Sequence, residues 1–313
     1  MHADHMGRPA RAPQGTLPHI CTCVCTFKRP LPLRRLLNEL DDQATDGLFT
    51  YSIIVADNDK AESGRRTVEE FRASTSVPIL YCVEPERGIA RTRNRVLSNA
   101  AGDYFALIDD DEVPIREWLL HLFKACEEFK TDGILGPVLR RFDGQPPKWL
   151  EKSSFFERPV KPTGLSVAWA ESRTGNVLLK RTVLFGDEQP FRTEIRAGSD
   201  VDFFMRKCGE GFRFTWCAEA MAYELIPPER WTRGYQVRKA ILCGADEHKV
   251  GSFGIKHIVK SMVAVPLYAL LLPFTLLFGQ HIFMDYLTRT CEHAARLLSL
   301  VGIHIACGAY TAD

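Results

Sequence analysis

Four consecutive acids close an apolar run in Phe105-Ala-Leu-Ile-Asp-Asp-Asp-Glu112. Like charges at that spacing repel, and they ionise together cheaply only around a cation. Oxygen-only ligands at a strand end suit Mg2+ or Mn2+ held jointly with a diphosphate. The plainer reading is a solvated acidic turn capping the next helix, where Asp and Glu complement the helix dipole. The apolar run favours the first reading, because a buried strand delivers the acids to one edge of a sheet.

Other groups have two readings each. Asp57 ends the apolar run 51–56, so its carboxylate can accept a hydrogen bond from a base imide or a ribose hydroxyl. An Asp-Asn-Asp stretch is also an ordinary turn. In Arg87-Gly-Ile-Ala-Arg-Thr-Arg-Asn-Arg95, Arg91 and Arg95 share one helical face behind Arg87. That face can meet a diphosphate or the aspartates, or it is a solvated basic helix. In Gly198-Ser-Asp-Val-Asp202, Asp200 is placed either as a general base in a cleft or as a helix cap. Arg230, Trp231 and Arg233 follow Pro227-Pro228 and offer cationic and stacking groups to a sugar or phosphate, or a basic surface to anionic lipid.

Positioning these groups requires alternating elements. Hydrophobic periodicity predicts strands at 20–26, 51–56, 79–83 and 104–108, with helices at 31–40, 63–73 and 89–99 between them. Such alternation implies right-handed crossovers and a parallel, Rossmann-like sheet. Ligands bind such sheets at the carboxyl ends of the strands. Three polar clusters fall there: Thr26, Lys28 and Arg29; Asp57 to Asp59; and Asp109 to Asp111. Beyond a helix at 115–130 the pattern predicts a strand at 133–140 and a Pro- and Lys-rich loop or lid at 144–163. Short strands at 165–169 and 176–179 follow, then a helix at 199–208, strands at 212–217 and 220–224, and a basic helix at 231–243.

Composition limits the partners. Forty Lys and Arg against thirty-nine Asp and Glu give a formal charge of +1 over 313 residues, so no general field draws nucleic acid. Ten cysteines show no C-x-x-C pair. Cys21, Cys23 and Cys25 alternate along one strand face, which reads as core packing in a reducing cytosol rather than as zinc ligands. Residues 1–18 lack an apolar stretch and read as a disordered leader. Residues 261–284 contain no Asp, Glu, Lys or Arg, but Pro266 and Pro273 interrupt them. Lys249, Lys256 and Lys260 precede that window and favour a cytoplasmic flank. Membrane contact is expected, as a kinked or hairpin insertion or as an anchor lying on the surface; a soluble core helix is the alternative.

Together the motifs resemble inverting family 2 glycosyltransferases of the GT-A fold. The resemblance rests on Cys25-Thr-Phe-Lys-Arg-Pro30, Val55-Ala-Asp-Asn-Asp59, Gly88-Ile-Ala-Arg-Thr-Arg-Asn94, Leu107-Ile-Asp-Asp-Asp-Glu112 and Gly198-Ser-Asp-Val-Asp202, in order, over residues 20–235. Within the family the chain looks most like bacterial exopolysaccharide, succinoglycan-type β-glucosyltransferases. The fold class implied is α/β, a GT-A Rossmann-like fold with a mixed central sheet plus C-terminal membrane-associated helices. The domains implied are 19–250 for the transferase, divided at 112 into nucleotide-sugar and acceptor halves, and 251–313 for the apolar segment.

The resemblance also implies roles. Thr26 and Lys28 or Arg29 would line the nucleotide entrance, and Asp57 would contact uracil. Arg87 with Arg93 or Asn94 would serve the ribose and diphosphate. Asp109 and Asp111 match the ends of the D-x-D motif, with Asp111 the direct ligand of Mn2+ or Mg2+ and Asp110 near the sugar or ribose. Asp200 would take the acceptor proton, with Asp202 a rival because Ser199 replaces a common acid. Trp169, Arg230, Trp231 and Arg233 would meet acceptor or diphosphate. The substrates implied by the resemblance are a UDP-hexose, glucose among the hexoses, and a polyprenyl-diphosphate-linked saccharide at the cytoplasmic face of a bacterial inner membrane, joined by a β-linkage. No Q-x-x-R-W motif of processive synthases is present, which favours one sugar per cycle. Two rivals remain: a haloacid-dehalogenase-like phosphatase using Asp109 and Asp111, and a non-catalytic, membrane-tethered nucleotide-sugar-binding subunit.

Overall fold

A computed structural model describes residues 17–195, 198–246 and 254–303. The expected leader lies outside the described residues except for Leu17 and Pro18, as do Lys249 and the final ten residues.

The alternation is realised as β1 (His19–Thr26), α1 (Pro30–Asp41), β2 (Thr50–Asp57), α2 (Arg65–Ser74), β3 (Ile79–Val83), α3 (Ile89–Asn99) and β4 (Tyr104–Asp109). Pro30 and Pro32 start α1, where a missing N–H costs nothing and the fixed φ suits the helix. Four more strands and three helices follow: β5 (Glu112–Pro114), α4 (Trp118–Glu128), β6 (Gly133–Leu135), β7 (Val138–Phe142), α5 (Lys148–Glu151), β8 (Asn176–Lys180) and α6 (Arg181–Leu184). The chain continues through α7 (Ser199–Gly209), β9 (Phe214–Trp216), β10 (Ala222–Ile226), α8 (Arg233–Asp246), α9 (Ile255–Thr275) and α10 (Gln280–Leu300).

Seven strands form one sheet in the order β3-β2-β1-β4-β8-β6-β9. The first four are parallel, and β8 runs antiparallel to both β4 and β6. Register aligns Thr26 with Asp57 and Cys25 with Asp109, so the three polar clusters reach one edge together. Alternation in β1 feeds two cores. Ile20 and Val24 join Leu33, Leu36, Leu37 and Leu40 of α1 on one face. Cys21 and Cys23 join Ile54, Phe203, Phe204 and Phe214 on the other, as packing thiols.

A second sheet, β5-β10-β7, stands beside the first. The expected single strand 133–140 is divided between the two sheets, because Pro137 donates no ladder hydrogen bond and Gly136 packs against the Ala220 carbonyl. Residues 165–169 form no strand: one bridge pairs Ser166 with Thr215, and a 3-10 turn begins at Trp169. The predicted helix at 115 begins at Trp118, after the short β5 that the acidic run concealed. The apolar window 261–284 covers most of α9 and the start of α10, joined by a turn at Gly279.

Candidate active site

The edge formed by β1 and β4 brings acids and cations together. Thr26 Oγ1 donates to Asp110 Oδ2 at 2.7 Å. Arg29, in the loop after β1, bridges Asp110 Oδ1 at 3.1 Å and Asp111 Oδ2 at 3.0 Å. Arg230, in the turn before α8, approaches the same Asp111 oxygen at 3.4 Å and Glu224 at 3.2 Å. Arg158, on the lid, reaches the other side of Glu224 at 3.3 Å. Burial pushes the Asp110 carboxyl up to about 7, opposed by the Arg29 charge. Glu112 is held well above the ordinary carboxylate range by burial and by Asp109, whose own carboxyl is raised by burial.

Two cavities flank this row. One, of about 410 Å³, is lined by Arg29, Asp110, Asp111, Arg230, Tyr235 and Arg238 among others. The other, of about 340 Å³, is lined in part by the 144–163 segment and includes Arg158, Lys161, Arg173, Asn176 and Trp216. Asp200 stands at the first turn of α7, which Gly198 enters with φ of 81°. Val201 N–H donates to Asp200 Oδ1, and Arg173 Nε lies 4.0 Å from Oδ2. Asp200 is thus half-buried, with one oxygen directed toward a residue of the second cavity.

Other expected residues do structural work. Asp202 is buried and ion-paired with Arg206 at 3.0 Å and Arg192 at 3.3 Å, which leaves it poorly placed as a base. Asp57 is fully buried; it accepts from Asp59 N–H, Gly64 N–H and the Tyr81 hydroxyl, so it organises its loop and presents no open face to a base. Asn94 gives both ends of its amide to the Phe191 backbone, so it clamps a segment rather than reaching a ribose. Arg93 donates to Ser199 Oγ and fixes α3 to the start of α7. Lys28 and Arg87 sit over the same Phe27 ring. Trp231 donates to the Ile226 carbonyl and packs on Phe142, while exposed Arg233 bonds Gln280 of α10. Trp169 lies half-buried against the second core.

Three contributors were not foreseen. Arg158 lies in a lid with no periodicity, and Arg173 in an irregular segment, so nothing local marks either. Asn176 lies in a predicted strand, but only its partners reveal it: it accepts from Trp118 Nε1 and donates to the Pro137 and Ala220 carbonyls.

Among the described residues, no group of three His, Cys, Asp or Glu side chains is placed to hold a metal. A divalent cation nevertheless fits here. Asp109 and Asp111 supply the carboxylate oxygens, and a cation at Asp111 Oδ2 would take the place that the Arg29 and Arg230 guanidinium groups hold there. A protein site with one or two carboxylates is completed by phosphate oxygens and water, the usual arrangement for Mg2+.

The profile of glycosyl transferase family 2 matches residues 21–187. The succinoglycan biosynthesis protein ExoM of Rhizobium meliloti is 32% identical over 238 residues, 74% of each chain. The mannosyltransferase PcManGT from Pyrobaculum calidifontis, in complex with GDP-Man and Mn2+, matches over 92% of this chain and 87% of that one, with a TM-score of 0.61 and 17% identity. S. aureus TarS 1-349 in complex with UDP matches over 91% and 92%, with a TM-score of 0.53 and 14% identity.

Proposed function

The chain belongs to glycosyl transferase family 2 and has the GT-A fold, and from that premise we propose an inverting transferase that moves a hexose, glucose by the family likeness, from a UDP-sugar to a lipid-linked saccharide in exopolysaccharide synthesis. The observation that carries the reading is the row Asp109 to Asp111 at the strand edge, with Arg29 and Arg230 on one side and Asp200 beyond it. ExoM supports the exopolysaccharide role, and the UDP-bound and GDP-Man-bound neighbours support a nucleotide-sugar donor. The apolar helix α9 supports contact with the cytoplasmic membrane surface, where a polyprenyl-diphosphate acceptor resides.

In this reading Asp200 takes the proton of the acceptor hydroxyl. The acceptor oxygen bonds to the anomeric carbon as the bond from that carbon to the diphosphate breaks, and the electron pair departs with UDP. Attack from the opposite face turns an α-linked donor into a β-linked product. Arg29 and Arg230 neutralise the charge that grows on the diphosphate, an effect strongest where charge develops in the transition state. Mn2+ or Mg2+, when bound at Asp111 with Asp109 in support, supplies further electrostatic stabilisation of the leaving diphosphate. Lys28 and Arg87 guard the nucleotide entrance. Thr26 holds Asp110, and Arg93 holds α7 so that Asp200 keeps its place.

The test is transfer by Asp200→Asn and Asp111→Ala on an acceptor that the wild type uses. Both are expected to lose at least about a hundredfold in turnover. Wild-type turnover in both would overturn the assignment, and UDP binding without any transfer by the wild type would favour a non-catalytic subunit. The phosphatase reading is set aside, since the acids follow the fourth strand of a family 2 domain.

A further inference from the structure

Helix α9 has its polarity turned inside out. Its side toward α10 carries buried Ser261, Ala264 and Thr275, and Tyr268 packs edge-on against Tyr286 of α10. Ser261 Oγ lies 3.0 Å from His293 Nδ1 and accepts from Arg296 Nη1 at 2.8 Å. Its outward side carries Met262, Val263, Leu267, Leu270 and Phe274, each from 48% to 70% exposed, and Leu277 in the turn after it is 82% exposed. A helix on a water-facing surface has the opposite arrangement. The apolar stretch runs 24 residues from Ile255 to Phe278, and only 17% of an 18-residue apolar window within it is buried, so it is not a core helix. A medium as apolar as the side chains must cover it.

Its neighbours decide how it meets that medium. α10 packs against both α9 and α8. Between its ends α10 carries Asp285, Arg289, Glu292, His293 and Arg296. If α9 crossed a bilayer, α10 would be drawn to mid-membrane depth with these groups, where ionisable side chains are costliest. α8 would follow with Arg233, Arg238 and Lys239.

We infer that α9 lies in the plane of one leaflet, its outward face among the acyl chains and α10 on its water side. Lys256 and Lys260, on a helix without any acid, meet anionic headgroups. α10 touches both α9 and α8, and Tyr235 and Arg238 of α8 line the larger cavity. The inference rests on the membrane contact proposed above and on none of the transfer chemistry.

The test uses the full chain with sealed vesicles of phosphatidylcholine and phosphatidylglycerol. An epitope is inserted between Gly279 and Gln280, in the turn between the two helices. The protein is expected to float with the vesicles while protease added outside cleaves the epitope. Flotation with the epitope protected until detergent is added would mean a crossing hairpin and overturn the inference. Failure of the wild type to float would overturn it as well. Leu270→Glu with Phe274→Glu should lower the bound fraction about tenfold with the melting temperature kept, and unchanged flotation of that folded variant would count against it. Should it misfold, Lys256→Glu with Lys260→Glu serves: its binding should fall only when phosphatidylglycerol is present, and a fall in its absence or no fall at all would overturn the headgroup contact. A failed transfer mechanism would show in turnover and leave flotation untouched.

Discussion

Asp200 and Asp202 lie two residues apart in α7, yet their surroundings give them different work. Asp202 sits between two guanidinium groups, one of them half exposed. Removing its charge should cost about 1–3 kcal/mol of stability, read as a lower melting temperature, with turnover per folded molecule kept. Asp200→Asn should show the reverse, and a stable but inactive Asp202→Asn would reverse the assignment. Asp110 supplies a pH signature. Burial pushes its carboxyl up to about 7, whereas an unfolded aspartate ionises near 3.9. Between those values the folded chain holds a proton that the unfolded chain has released. Stability at this residue therefore falls as pH rises through the window, and the loss is complete above about 7. Asp110→Asn removes that loss, so its melting temperature in EDTA should gain on the wild type from about pH 5 to about pH 8, by no more than about 4 kcal/mol in stability terms. A constant difference would show that Asp110 stays ionised throughout.

At the scale of elements, β8 is what separates the acids from a plain parallel edge. Gly175, just before β8, leaves room for Glu112 and Asp109; a Cβ there would overlap Glu112 Oε1 and stand 3.2 Å from Asp109 Oδ2. Gly175→Ala should therefore disturb the acid row and weaken metal-dependent donor binding about tenfold or more, and unchanged binding in calorimetry would show that the row tolerates movement. This contact explains the limits of reading the chain. β1 to β4 were legible because these strands alternate with regular amphipathic helices, and the register that aligns Thr26, Asp57 and Asp109 follows from that alternation. Asp111, Asp110 and Asp200 could be singled out because acids at a strand end and at a helix start are local signals. Three-residue β5 gave no period, and β6 and β7 read as one strand because the break between them is set by the second sheet. The roles of Asp57, Asn94 and Asp202 depend on partners 7 to 97 residues or one helical turn away, as Gly64 and Phe191 show, and no local pattern carries such pairings.

At the scale of the molecule, the stack of α8, α10 and α9 ties the larger cavity to the proposed lipid-facing side. Confinement to the surface that holds a lipid-linked acceptor raises the effective concentration of that acceptor, by roughly 10²-fold or more, without any new contact at the site. The gain must appear in KM for the membrane-bound acceptor and be absent for a water-soluble analogue carrying the same sugars. Replacing Leu267, Leu270, Phe274 and Leu277 with Glu and Lys removes the lipid-facing surface while leaving the α10-facing side intact. That variant should stay in solution without detergent and keep kcat and KM on the soluble acceptor. On vesicles containing the lipid-linked acceptor its kcat/KM should fall about a hundredfold, with most of the change in KM. Equal losses on both acceptors would mean that the substitutions reach the active site through α10 and α8, and equal activity on both would mean that the membrane plays no part in presenting the acceptor.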